Sequence, residues 1–144
     1  MPKPPLPPEL DAFLAQPNPA VIGTVEPGGS PHTAPTWYLW RDGRVEVNMA
    51  ATRKRLGHLR RDPRVSLTVI DSDDWYRHVT LRGRVVTMEE DTELAGIDSL
   101  SEQYTSRPYA RRDEARVQAI IEVDSWHAWV HGRPWVPAAA GSNR

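Results

Sequence analysis

Twelve residues, Arg53 to Arg64 (RKRLGHLRRDPR), hold six of the chain's 18 Lys and Arg side chains and a single acid, Asp62. Six cations against one acid leave a local charge of +5, although the 144-residue chain sums to −1. Leu56 and Leu59 are spaced i, i+3, so the segment reads as a short helix docked on a sheet, with Thr52 as a candidate N-cap and Pro63 as its stop. Arg53, Lys54 and Arg55 then fall in the first turn. Cations there oppose the helix dipole, and the free backbone N–H groups of that turn favour an anion. A phosphate would relieve the repulsion and give Arg a bidentate partner. Arg60, Arg61 and Arg64 lie at or beyond the far end, where cations suit the dipole. A solvated helix face is the plainer alternative. A nucleic-acid track is a third, but the helix is short, its Leu pair must face the sheet, and the rest of the chain is negative.

Other groups offer less chemistry. His127 and His131 are i, i+4, a metal spacing only on a helix, whereas SWHAWV around them favours a strand. His32 and His78 fall on expected strands. Asp71, Asp73, Asp74, Glu89, Glu90 and Asp91 sit where turns and a helix start are expected, and read as caps or solvated acids. No GxxxxGK[ST], GxSxG or HExxH motif occurs, and there is no Cys, so thiolate ligands, Cys nucleophiles and disulfides are excluded. Six Trp is a high count. Trp37, Trp40, Trp126 and Trp129 can fill a core, and Trp37, Trp75 and Tyr76 can line a flat ligand. These features together suit a planar ring bearing a phosphate, a cofactor that carries its own chemistry.

The elements that must position these residues follow from patterning. PELDAFLAQ at 8–16 reads as a helix stopped by Pro17. AVIGTVE at 20–26 and PHTAPTWYLW at 31–40 read as a hairpin about PGGS, with Pro35 at an edge or bulge. RVEVNM at 44–49 alternates Val45, Val47 and Met49 inward with Arg44, Glu46 and Asn48 outward. RVSLTVID at 64–71 and the long YRHVTLRGRVVTM at 76–88, with a bulge at Gly83, follow the basic helix. A helix is expected over 89–104, and VQAIIEVD at 117–124 is the last major strand, extended by SWHAWV. About six strands joined by tight turns imply antiparallel pairing in an α+β, mainly β barrel with short helices.

At this length a single domain spanning 1–144 is expected, with an extended arm at 1–8 and a disordered tail at 137–144. No signal peptide or membrane span is evident, so a cytoplasmic protein without membrane contact is expected. Nearly neutral charge argues against a general polyanion binder.

The strand RVEVNM followed by TRKR and HLRRDPRVSL, with YRHVTLRGRV and the hairpin AVIGTVEPGGSPHTAPTWY, resembles the split β-barrel flavin and deazaflavin oxidoreductases related to pyridoxamine 5′-phosphate oxidase. It is most similar to the branch that uses the deazaflavin coenzyme F420. The resemblance covers roughly residues 10–124 and implies a six-stranded antiparallel split barrel that forms a homodimer with cofactor sites at the interface. It implies that Arg53, Lys54 and Arg55 hold the phosphate or polyglutamate tail, and that Asn48, Met49 and Ala50 meet the cofactor. His32 and Trp37 would lie near its ring or tail, and Tyr76, Arg77 and His78 would close the site from the partner subunit. The implied activity is hydride transfer between reduced F420 and a small conjugated substrate. The alternatives are an FMN-dependent oxidase or reductase on the same fold, or a non-catalytic flavin- or deazaflavin-binding protein. Relatives often carry Lys where Arg55 stands, and SWHAWVHGRPW matches no motif of the family.

Overall fold

The computed structural model describes residues 1–136. The expected tail at 137–144 lies outside the described residues. Eight strands form one antiparallel sheet: β1 (Ala20–Val25), β2 (Pro31–Thr36), β3 (Leu39–Arg41), β4 (Arg44–Ala50), β5 (Arg64–Ile70), β6 (Arg77–Glu90), β7 (Arg116–Val130) and the two-residue β8 (Arg133–Pro134). Three helices accompany them: α1 (Pro8–Leu14), α2 (Lys54–Arg61) and α3 (Ala95–Thr105). The sheet order is β2-β1-β5-β6-β7-β4-β3, with β8 on β7.

That order demands curvature. β2 and β3 stand at opposite ends of it, yet only Trp37 and Tyr38 separate them in the chain. Six inter-strand gaps in a flat sheet would span about 29 Å. The three steps from Thr36 to Leu39 reach about 11 Å at most. The sheet therefore curls until its two edges meet at this link without pairing, which makes it a split barrel. Tyr38 fastens the seam. It is fully buried, and its hydroxyl donates to the carbonyls of Leu14 (2.9 Å) and Gln16 (3.0 Å) at the end of α1. Burial pushes its phenol well above the ordinary range, so it remains a donor.

The barrel core takes the inward residues of the strands, among them Ile22, Val45, Val47, Met49, Leu67, Val69, Val79 and Ile121, with Leu10 and Leu14 of α1 and Leu56 and Leu59 of α2. Alternation along β4 is as expected for Val45, Val47 and Met49. Asn48, expected on an outward solvent face, is instead 6% exposed, because that face is covered by α3 and the side chains of β7.

The strand count rises from six to eight because the 31–40 strand breaks at the seam and a short β8 folds back on β7. The helix expected over 89–104 starts later. β6 keeps pairing with β7 through Glu90, and the Asp91 carboxylate then accepts the N–H groups of Gly96 (3.0 Å) and Ile97 (2.9 Å). Ladder hydrogen bonds outweigh the helix propensity of that acidic stretch. Thr52 does not cap α2; Arg53 occupies the N-cap position without a side-chain cap bond. The expected bulge at Gly83 is present as a register shift between Arg82 and Gly83.

Gly83 and Gly57 make opposite predictions. A Cβ at Gly83 would run into the Glu122 carbonyl, whereas one at Gly57 would meet nothing within 4 Å. Gly83→Ala is expected to lower stability by about 1–3 kcal/mol. Gly57→Ala, in mid-helix, is expected to raise it by about 1 kcal/mol. Urea unfolding of the two variants checks both signs.

Candidate functional site

α2 starts where β4 ends, so the strand delivers Asn48, Met49 and Ala50 to the mouth of the basic turn. Here a cavity of about 600 Å³ is lined by His32 and Ala34 of β2, by Asn48, Met49 and Ala50 of β4, and by Thr52, Arg53, Lys54 and Arg55. Pro35 and Arg116 complete it. Among the described residues, no carboxylate pairs with Arg53, Lys54 or Arg55, although most of the other arginines make ion pairs. Arg55 is the most constrained of the three. One terminal nitrogen donates to the Asn48 carbonyl at 3.1 Å, and its Nε is buried without a partner. Burial, then the charges of Arg53 and Arg116, push its guanidinium below the ordinary value. Three uncompensated cations, an orphaned N–H and an uncapped helix start make a receptor for a multiply charged anion.

A second cavity, of about 680 Å³, adjoins the first and shares Pro35, Asn48, Arg53 and Arg116 with it. Its far end is apolar and aromatic. Trp37 lies parallel to Tyr104 (5.3 Å between centroids, 7° between planes) and edge-on to Tyr109 (6.1 Å, 87°). Ile97 and Leu100 of α3 add further wall. The Tyr104 hydroxyl donates to the Asn18 carbonyl at 2.7 Å, and burial pushes it up to about 12, so it is neutral at physiological pH.

The Asn48 carboxamide joins the two cavities. Its Nδ2 donates to Asp91 (3.0 Å) and to Gln118 Oε1 (2.7 Å), and its Oδ1 accepts from Arg116 Nε (2.7 Å). Arg116 in turn donates to Glu114 at 2.9 Å and sits 4.9 Å from the Tyr109 ring centroid. One amide thus fixes the strand that carries the cationic turn, the Asp91 cap of α3, and the arginine between the two cavities.

The expected residues divide by place. His32, Asn48, Met49, Ala50, Arg53, Lys54 and Arg55 meet at the cationic cavity, where His32 stands edge-on to the buried His58 at 5.3 Å. Trp37 lines the aromatic cavity instead. Tyr76, Arg77 and His78 line neither. They sit where Arg77 pairs with Val130 and His78 with Trp129, whereas Ala50 pairs with Arg116 at the other end of β7, on the order of 40 Å along the strand. His127 lies on β7 and His131 in the following turn, so their helical spacing is not realised; His131 bonds Asp74 at 2.8 Å. Arg116, Tyr104, Tyr109, Leu100 and Asn48's polar partners were not legible as site residues. RPYARRDEAR shows only a polar connection, and strand register alone places Arg116 opposite Ala50.

The curled antiparallel sheet, with a cationic turn after its fourth strand, is a split barrel. The chain belongs to the pyridoxamine 5′-phosphate oxidase family, whose model matches residues 6–130. Solved structures agree on the fold. An F420 reductase is 24% identical with a TM-score of 0.75, covering 84% of this chain and 98% of its own. A conserved hypothetical protein from Mycobacterium tuberculosis is 25% identical with a TM-score of 0.69, covering 96% and 95%. General stress protein 26 from Bacillus anthracis is 18% identical with a TM-score of 0.60, covering 84% and 92%. No curated protein matches the sequence. Among the described residues no helix is long and apolar enough to cross a membrane.

Asn48→Ala tests the junction. It leaves Arg116 Nε, Asp91 and Gln118 without their shared partner, and stranded half-buried groups cost about 1–3 kcal/mol each before water compensates. A loss of about 2 kcal/mol or more in urea unfolding is expected; a loss below about 0.5 kcal/mol contradicts the junction role.

Proposed function

We propose that this protein is an F420-dependent oxidoreductase that acts as a homodimer on a small conjugated organic substrate. The observation that carries the reading is the unpaired cluster Arg53, Lys54 and Arg55 at the start of α2, in a chain that belongs to a flavin-type family. The residues fit such a cofactor. Arg53, Lys54, Arg55 and the first-turn N–H groups would hold its phosphate, with Thr52 beside them. Met49, Ala50 and His32 would border it. When bound, a flavin or deazaflavin supplies reversible two-electron hydride transfer. The protein's part is to bind, orient and exclude water. Tyr104 is held neutral and committed to the Asn18 carbonyl, so it serves as wall and not as acid or base.

Two observations favour F420 over FMN. Three free cations exceed what one phosphate ester requires, and the surplus suits a longer anionic tail. The similar F420 reductase adds weight as a relative in fold. Placement supports the dimer. Tyr76, Arg77 and His78 line neither cavity of their own chain, so the closing role that the resemblance implies would fall on the groove of another copy. Trp75 and Tyr76 are 71% and 58% exposed, and His78 Nδ1 is buried without a partner.

Replacing Arg53 and Arg55 together with Ala is expected to weaken cofactor binding by about 2 kcal/mol or more while the domain stays folded, as charge-assisted hydrogen bonds are lost. Unchanged affinity in the folded double variant sinks the phosphate role. Sedimentation is expected to show a dimer. A monomer that binds cofactor tightly contradicts the shared site.

A further inference from the structure

The aromatic cavity has a chemistry of its own. Its polar lining contains two arginines, Arg53 and Arg116, and no Asp or Glu. Arg116 uses Nε on Asn48 and one terminal nitrogen on Glu114; its other terminal nitrogen has no partner among the described residues. Glu114 offsets part of that charge, but Arg53 has no acid beside it, so the shared wall stays positive. Beyond it the cavity is flat-sided. Trp37 stacks on Tyr104, Tyr109 stands edge-on to Trp37, and Pro35, Ile97 and Leu100 add to the lining. Proline and aromatic walls favour a rigid planar guest over a flexible chain.

We propose that this cavity is the substrate subsite and that it takes a planar aromatic or conjugated carboxylate, its ring against Trp37 and its carboxylate between Arg116 and Arg53. The inference rests on the proposed function only in calling the guest a substrate. Anionic selection follows from the two arginines, since a neutral guest forfeits their charge-assisted bonds and a cation is repelled. Arg116 is a specificity residue here. Its cation–π contact with Tyr109 and its bond to Asn48 hold the guanidinium still, so little order is lost when a carboxylate arrives. The guest would stand beside the cationic cavity, because the two compartments share Pro35, Asn48, Arg53 and Arg116, while Trp37, Tyr104 and Tyr109 line only the aromatic one.

The test is a titration of the full chain with naphthoate and with its neutral methyl ester, alone and after saturation with F420 or FMN. Naphthoate is expected to bind about tenfold or more tightly than the ester, and to bind the cofactor-loaded protein as well. Equal affinity for acid and ester overturns the proposal. So does mutual exclusion of naphthoate and cofactor, which would make the aromatic cavity the seat of the cofactor ring. Arg116→Gln is expected to erase the preference for the acid, with thermal unfolding checked in parallel; the wild-type comparison stands without it. If neither cofactor binds but naphthoate still does so with the charge preference, the subsite holds and the cofactor reading alone fails.

Discussion

The barrel seam is the constraint on which the site depends. Two residues must carry the chain between strands that a flat sheet would hold far apart, and they divide the labour. Tyr38 turns inward, fully buried and tied to the last carbonyls of α1. Trp37 turns the other way and meets Tyr104 of α3. The Tyr104 hydroxyl lies 3.4 Å from the Tyr38 amide, and Gln103 of α3 donates to the Tyr38 carbonyl at 2.9 Å. The crossing therefore anchors α3 as well as α1. Without that curl, β2 would not stand beside the end of β4, and neither cavity would have its second wall.

The second determinant is electrostatic. The protein is close to neutral, yet it leaves three adjacent cations without acids while pairing many others. Arg84 bonds Asp124, Arg112 bonds Asp98, and Arg64 bonds Asp62. Exposed pairs of this kind stabilise little, so their interest lies in contrast. The one acid of the basic stretch, Asp62, serves the far end, where it pairs with Arg64. Of the free charges at the near end, Arg55 is held in place, and so is the neighbouring, partly compensated Arg116. Arg55 is pinned to the Asn48 carbonyl, and Arg116 to the Asn48 side chain. A preorganised cluster of this sort binds an anion with little rearrangement.

Much of this was legible in the residues. The alternation of RVEVNM, the β-branched run RVSLTVI and the position of TRKR gave the strands and the cationic turn directly, because period and charge are local signals. Gly83 announced its bulge. The helix after β6 starts later than its sequence suggests because Glu89 and Glu90 look helical in isolation, whereas β7 claims their backbone bonds. The break at Trp37–Tyr38 was hidden for a similar reason: ten residues of strand-like composition do not reveal that the sheet closes halfway along them. The resemblance places Asn48 at the site, but its burial and its part in joining Arg116, Gln118 and Asp91 are products of register. Arg116 carried no local mark at all. Long-range pairing, which periodicity does not encode, built the half of the site that lies beyond α2.

The most direct measurement is a fluorescence titration of the purified apoprotein with F420 and, separately, with FMN. Tight F420 binding that weakens steeply with salt, alongside weak FMN binding, is the predicted result, since the affinity is ascribed to Arg53, Lys54 and Arg55 and to an anionic tail longer than one phosphate. Tight FMN binding with weak F420 binding would contradict the F420 assignment, and failure of both to bind would contradict the cofactor site itself.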